Sequence, residues 1–242
     1  MGVVIVTGGS RGIGAAICRL AAKQGHQVVV NYVGNAGAAA AVAKEIGGIA
    51  VKANVADEAD VTRLFDAAQE LGTLTGLVCN AGITGNKIAR LDEHEVSTVR
   101  EVLEVNVTGT FLCDREAVRR MSTKYGGEGG VIVNISSTAA QRGSPGEWVH
   151  YAASKAAVET LTKGLADEVA AEGIRVNCVA PGLVETGLHE AAGAPDRVTR
   201  TAPLIPMGRA GKPEEIADGV VWLLSDAAAF VTGSIVTISG GR

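Results

Sequence analysis

Bulky rings are scarce in this chain, which has two Trp, three Tyr and three Phe among 242 residues. Its core must therefore be filled by Ala, Val, Ile and Leu. With 47% hydrophobic residues and 32 Gly, the composition suits helices packed closely on a parallel sheet. Cysteine is sparse too: Cys18, Cys79, Cys113 and Cys178 lie far apart in apolar stretches, with no C-x-x-C or Cys/His ligand spacing. That pattern argues against a disulfide framework or a metal site, and buried, reduced thiols of a cytoplasmic protein are expected. Basic runs are missing and the formal net charge is −4, so nothing favours nucleic acid as a partner. No apolar run reaches the roughly 18 residues of a membrane span. A first strand beginning near residue 3 leaves no room for a signal peptide.

What is present alternates. Apolar β-formers predict strands at 3–6, 27–32, 49–53, 76–79, 131–135, 174–179 and 235–238. Helical patterns fall between them: behind the first strand, over 35–46, from an N-cap at Asp57, over 92–124 and 148–172, and from Pro213 with Glu214 and Glu215 in the first turn. Alternation of this kind predicts an α/β fold, a doubly wound, mostly parallel seven-stranded sheet with helices on both faces, in one domain over 1–242. The stretch 183–212 follows the carboxyl end of a strand, where open α/β sheets bind ligands, and reads as a lid. It is either structureless or built on short helices at 187–192 and 195–201. His189 within it reads as a solvated loop histidine.

The first strand runs into Thr7-Gly8-Gly9-Ser10-Arg11-Gly12-Ile13-Gly14. Strand, glycine turn, helix presents backbone N–H groups and a helix N-terminus to a phosphate. Farther on, Tyr151 and Lys155 stand four residues apart on one helix face, so a phenol and an ammonium can share a pocket. A nearby cation lowers a phenol's pKa and makes it a usable proton donor and acceptor. Ser137 follows the apolar strand VIVNIS and places a hydroxyl at the carboxyl edge of the sheet.

Taken in order, Thr7 to Gly14, Asn80-Ala81-Gly82, Asn106, Ser137, Tyr151-x-x-x-Lys155 and Pro181-Gly182 resemble the classical short-chain dehydrogenase/reductases, over essentially the whole chain. Members similar to the 3-oxoacyl-[acyl-carrier-protein] reductases and the glucose dehydrogenases come nearest. The resemblance implies a Rossmann fold and hydride transfer between a nicotinamide and a carbonyl or alcohol carbon. Tyr151 would be the general acid in reduction, and Lys155 would hold the ribose and depress the Tyr151 pKa. Ser137 would bond the substrate oxygen; Asn106 would kink its helix and hold a water relaying protons to Lys155. Cofactor contacts are implied at Gly8, Ser10, Arg11, Gly12, Ile13 and Gly14, and at Asn31 and Tyr32, Asn54 and Val55. Further contacts are implied at Asn80, Ala81 and Gly82, at Tyr151 and Lys155, and at Pro181, Gly182, Val184 and Thr186. Enoyl reductases of the superfamily space Tyr and Lys more widely, so this spacing favours carbonyl chemistry. Two departures stand out. Ser137 precedes Tyr151 by fourteen residues rather than thirteen, which puts an insertion in 141–150. Asn54 stands where many members carry Asp, though its amide oxygen can still accept from an adenine amine.

Strand two ends Asn31-Tyr32 and is followed by Val-Gly-Asn-Ala, without the carboxylate that holds the ribose 2′-hydroxyl in NAD binders. With Arg11 in the glycine loop, NADP(H) is the expected cofactor and NAD(H) the second choice. Glu128 and Glu172 occupy positions that are basic in the carrier-protein reductases, and two acids would repel an acidic carrier. A small free ketone, sugar or alcohol is therefore expected ahead of a 3-oxoacyl-[acyl-carrier-protein] substrate. A catalytically silent dinucleotide sensor is a further alternative, disfavoured because Asn106, Ser137, Tyr151 and Lys155 are all present. Helices 92–124 and 148–172 are apolar beyond one stripe, which calls for a second covered side. With Gly240-Gly241, the resemblance implies a homotetramer, a dimer of dimers.

Overall fold

The structure is a computed structural model describing residues 2–85 and 87–242, with the His189 side chain outside the description; the reading of His189 thus lies outside the described residues. Seven strands form one parallel sheet in the order β3-β2-β1-β4-β5-β6-β7. They are β1 Val3–Val6, β2 Gln27–Tyr32, β3 Ile49–Lys52, β4 Leu74–Cys79, β5 Gly130–Ile135, β6 Ile174–Pro181 and β7 Ile235–Ile238. Side chains of successive strand residues point to opposite faces, so each buried strand feeds two cores. Val4, Val6, Val28 and Val30 face α1 (Gly12–Lys23), α2 (Ala36–Ile46) and, farther along the sheet, α10 (Pro213–Leu224). Val3, Ile5, Val29 and Leu77 face the other way, toward α3 (Glu58–Gln69), α5 (Gly109–Met121) and α7 (Val149–Val169). Phe65 is the largest fully buried side chain among the described residues, and the rest of the two buried cores is aliphatic residues and Ala with Cys18, Cys79, Cys113 and Met121, as the shortage of rings requires. All four cysteines are free and buried. Among the described residues no helix is long and apolar enough to cross a membrane.

Asp57 is the N-cap the sequence predicts, and the helix expected from residue 35 starts one residue later with Asn35 as its cap. Asp57 accepts from the Asp60 N–H, and Asn35 accepts from the Ala38 N–H. The expected helix at 92–124 is not continuous. It divides into α4 (Val96–Leu103), a π turn at Glu104–Thr108 and α5, so the disturbance expected at Asn106 is a π turn centred on it. The 148–172 segment is α helix to Val169 and closes in a 3₁₀ turn, Ala170–Glu172.

The lid also departs from a structureless loop. It contains α8 (Leu188–Ala191), α9 (Arg197–Thr201) and a 3₁₀ turn, Ala202–Leu204, close to the short-helix alternative. Its two ends are tied: Gly211 N donates to Leu183 O at 2.9 Å, and Glu185 N donates to Gly211 O at 2.9 Å. Between α5 and α7, α6 (Ala139–Arg142) leads into a loop. The strand order turns back at β1, whose neighbours are β2 and β4, so their carboxyl ends open a crevice under the lid.

Candidate active site

The glycine loop is shaped by backbone that a side chain would block. Gly8 has φ +63°, and a Cβ on Gly14 would stand 2.3 Å from the Gly8 carbonyl oxygen. Gly14 therefore lets the first turn of α1 close on the loop. No acidic residue occupies that first turn, so the helix N-terminus keeps its partial positive charge toward the cleft. Neighbouring strands fix the loop. Thr7 Oγ1 accepts from Asn80 N at 2.9 Å and Ala81 N at 3.0 Å, while Asn80 Nδ2 donates to Thr7 O at 2.9 Å and Gly8 O at 3.2 Å. These glycines and the N-terminal turn fit a dinucleotide pyrophosphate.

The Asn31 side chain does not make the expected cofactor contact. It is 1% exposed and does not line the cleft: its Oδ1 accepts from Gly8 N at 3.2 Å, and its Nδ2 donates to Ala53 O at 2.9 Å. With both ends of the amide engaged, Asn31 holds the glycine loop and meets no ribose. Tyr32, Val33, Gly34 and Asn35 line the cleft at this end together with exposed Arg11, and no carboxylate stands among them. Asn54 and Val55 line it as well. The Asn54 Oδ1 already accepts from Ala56 N at 3.1 Å, which leaves one lone pair for a ligand.

At the other end, Tyr151 and Lys155 meet as their helical spacing requires. Lys155 is 4% exposed, its Nζ lies 5.8 Å from the centre of the Tyr151 ring, and it donates to Ile135 O at 2.7 Å. Two of its three donors stay available for a ligand. Gly82 lets the backbone after β4 approach: a Cβ there would lie 3.2 Å from Lys155 Nζ. Burial lowers the Lys155 pKa to about 8. Burial also raises the half-buried Tyr151 phenol, against which a hydrogen bond with Ser137 and the charge of Arg197 pull down. The expected depression of the Tyr151 pKa by Lys155 is thus reversed in the chain itself: desolvation of the phenolate outweighs the charges around it.

Ser137 and its neighbour Ser136 face different surroundings. Ser136 is buried and donates to Glu159 Oε1 at 2.9 Å, whereas Ser137 lies beside the phenol with its Oγ accepting from Ala139 N at 3.1 Å. Asn106 is fully buried and does not line the cleft. Its Oδ1 accepts from Ile83 N at 2.8 Å, and its Nδ2 donates to Ile83 O at 2.8 Å and Ser154 Oγ at 2.9 Å. The side chain therefore fastens the π turn to α7 and to the segment after β4. With both Nδ2 hydrogens used, the second lone pair of Oδ1 is what the amide has left for the expected water.

The glycine loop, Asn80–Gly82, Tyr151, Lys155, Pro181, Gly182, Val184 and Thr186 line one continuous cleft of about 1620 Å³. Drug-sized sites are ~300–1,000 Å³, so there is space for a dinucleotide and a second ligand. Three residues of this cleft are not legible in the sequence. Trp148 is buried against Ala192 and Ala194 of the lid, Glu147 pairs with Arg197, and the Arg197 guanidinium lies 4.7 Å over the Trp148 ring. Only the position of Trp148, three residues before Tyr151, could have signalled this.

A family model described as enoyl-(acyl carrier protein) reductase matches residues 8–242. An Escherichia coli (strain K12) protein described as uncharacterized oxidoreductase YgfF is 50% identical over 248 residues, covering 100% of both chains. A cis-4-hydroxycyclohexanecarboxylate dehydrogenase of Sinomonas cyclohexanicum is 43% identical, covering 99% of this chain and 95% of its own. A solved structure of a short chain dehydrogenase/reductase family protein superposes with TM-score 0.87 at 36% identity, over 99% of this chain and 96% of the other.

Proposed function

The chain belongs to the classical short-chain dehydrogenase/reductases, enzymes that act on CH–OH groups with a nicotinamide dinucleotide, and from that membership we propose an NADP(H)-dependent oxidoreductase of a small free ketone, sugar or alcohol. The observation that carries this reading is the convergence of Ser137, Tyr151 and Lys155 on one cleft with the glycine loop. The four-residue spacing of Tyr151 and Lys155 favours carbonyl over enoyl reduction. The cofactor, when bound, supplies or accepts the hydride.

The chain's residues govern placement and the proton. Backbone N–H groups of Ser10 to Gly14 hold the pyrophosphate, with Tyr32, Asn54 and Val55 around the adenosine. Asn80, Ala81 and Gly82, with Pro181, Gly182, Val184 and Thr186, hold the nicotinamide half. Lys155 uses its free donors on the ribose hydroxyls. In reduction Tyr151 gives its phenolic proton to the carbonyl oxygen, while Ser137 donates a hydrogen bond to the same oxygen. The raised pKa keeps that proton on Tyr151 at neutral pH, as a general acid requires. Oxidation needs the phenolate, which the Ser137 hydroxyl and the charge of Arg197 favour. Asn106 acts by position, holding Ile83 and α7 in register.

NADP(H) is favoured by the carboxylate-free end of β2 and by Arg11 facing the cleft. A small free substrate is supported by the relative that acts on a hydroxycyclohexanecarboxylate. The carrier-protein reductase is the second reading. The objection to it holds in the fold: Glu128 is exposed, and half-buried Glu172 keeps its negative charge while accepting from Ser122 Oγ. We further propose one domain over 1–242 with a lid at 183–212, working in the cytoplasm. Exposed Leu103 on α4 and Phe111 on α5 support a homotetramer built as a dimer of dimers; a stable monomer in sedimentation would contradict it.

A spectrophotometric screen of NADPH oxidation over ketones, aldehydes, sugars and short 3-oxoacyl thioesters tests the function. Turnover of a small free carbonyl with NADPH preferred over NADH is expected. A preference for NADH overturns the cofactor assignment, and turnover confined to thioesters overturns the substrate class.

A further inference from the structure

We propose that the substrate carries a carboxylate, which the free edge of the Arg197 guanidinium grips from the lid; this rests on the oxidoreductase reading above and names its substrate class. Arg197 opens α9 and, with Arg200 on the same short helix, lines the cleft. Its guanidinium is held from two sides. Trp148 lies under it at 4.7 Å and is itself fixed, being 3% exposed with Nε1 donating to Lys87 O at 3.0 Å. Glu147 accepts from Nη1. Both supports come from the loop before α7, where the expected insertion falls. There Ser144 has φ +44°, the single non-glycine positive φ among the described residues, and its carbonyl accepts from Glu147 N and Trp148 N. A strained turn is thus kept in order to present Glu147 and Trp148 to the lid.

That arrangement engages Nη1 and leaves the other edge unused. Nε is buried with no partner, and Nη2 makes no hydrogen bond among the described residues. Nε–H and Nη2–H point the same way and form the fork that meets a carboxylate through two parallel bonds. A buried donor left unpaired is costly, so a ligand that pairs it gains that cost back as affinity. Glu147 offsets the charge of Arg197, and Arg200 on the same helix adds one positive charge at the cleft, which suits a monoanion better than a phosphate dianion. Tyr151 packs against the cluster of Trp148, whose ring carries the guanidinium, and both line the cleft, so the bound anion sits within a small molecule's length of the reacting carbon. A short oxo-acid has both groups. If Arg197 were only a strut of the lid, its loss would weaken charged and neutral substrates alike.

The test uses the full chain with NADPH and a matched pair, 4-oxopentanoate and its methyl ester. We expect kcat/KM for the acid to exceed that for the ester by about tenfold to a hundredfold, mainly through KM, the range of a charge-assisted pair. Arg197→Met should bring the acid-to-ester ratio to near one, and Arg197→Lys should keep part of it. Glu147→Gln, which removes the competing carboxylate, should leave the ratio at or above its original value. Equal rates for acid and ester, or a ratio that survives in Arg197→Met, overturn the proposal. Calorimetry with pentanoate and pentanamide on the NADPH complex reads the same site without turnover. Tighter pentanoate binding lost in Arg197→Met supports the anion grip even if no ketone is reduced, an outcome that would sink the oxidoreductase reading alone. Reduction of ketones with no discrimination in either assay would sink the carboxylate alone.

Discussion

Asp114 lies on α5 with 1% of its surface exposed, and its carboxylate partners are neutral: the Cys79 thiol at 3.4 Å and the Asn134 amide at 3.0 Å. Burial without a cation raises its pKa from 3.8 to about 7, although both hydrogen bonds favour the ionised form. The folded chain therefore binds this proton more tightly than the unfolded chain does. Below about pH 4 both states are protonated and the stabilising contribution is complete. As pH rises from about 4 to about 7 the unfolded chain releases the proton first, and stability falls by ~1.4 kcal/mol per unit, or ~4 kcal/mol in all to order of magnitude. Asp114→Asn keeps the size and the acceptor but does not titrate. Urea unfolding of both proteins, followed by tryptophan fluorescence between pH 4 and pH 8, should show the variant gaining ~4 kcal/mol on the parent across that range. In melting temperature this is on the order of 10 °C for a chain of this length. Other titrating groups cancel in the difference. A difference that stays flat with pH would mean that Asp114 is ionised inside the fold at pH 5, and the reasoning from desolvation would fail.

Arg11→Ala should weaken NADPH binding by about tenfold and NADH binding much less, read by fluorescence titration. Asn31→Ala leaves the Gly8 N–H and the Ala53 carbonyl without partners, at ~1–3 kcal/mol each. It should lower both the melting temperature and cofactor affinity, although Asn31 faces no ligand. Lys155, with a pKa of about 8, should impose a fall in kcat/KM above pH 8 as its ammonium loses charge; a profile flat to pH 9.5 would contradict its role.

The sheet was legible because each strand is an apolar run bounded by a glycine or a polar turn, and such runs form strands wherever helices cover both faces. Tyr151 and Lys155 were legible because a four-residue spacing on a helix fixes a shared face. Asn31 was not, since its place at the end of β2 suits a ribose contact equally well until Gly8 and Ala53 claim the amide. The direction of the Tyr151 pKa depended on the depth of burial, which no spacing encodes. Arg197 and Glu147 are fifty residues apart and meet only because the lid folds over α7, a tertiary contact with no local signature.

The proposed function requires that Tyr151 move the proton in a cleft that holds NADPH. Tyr151→Phe keeps the ring and removes the hydroxyl, so NADPH binding by fluorescence titration and NADPH oxidation with an established carbonyl substrate should separate cleanly. Cofactor affinity within about twofold of the parent, with turnover lost by a factor of at least ~100, the scale of general acid catalysis, is the expected result. Turnover unchanged in the variant would contradict the account.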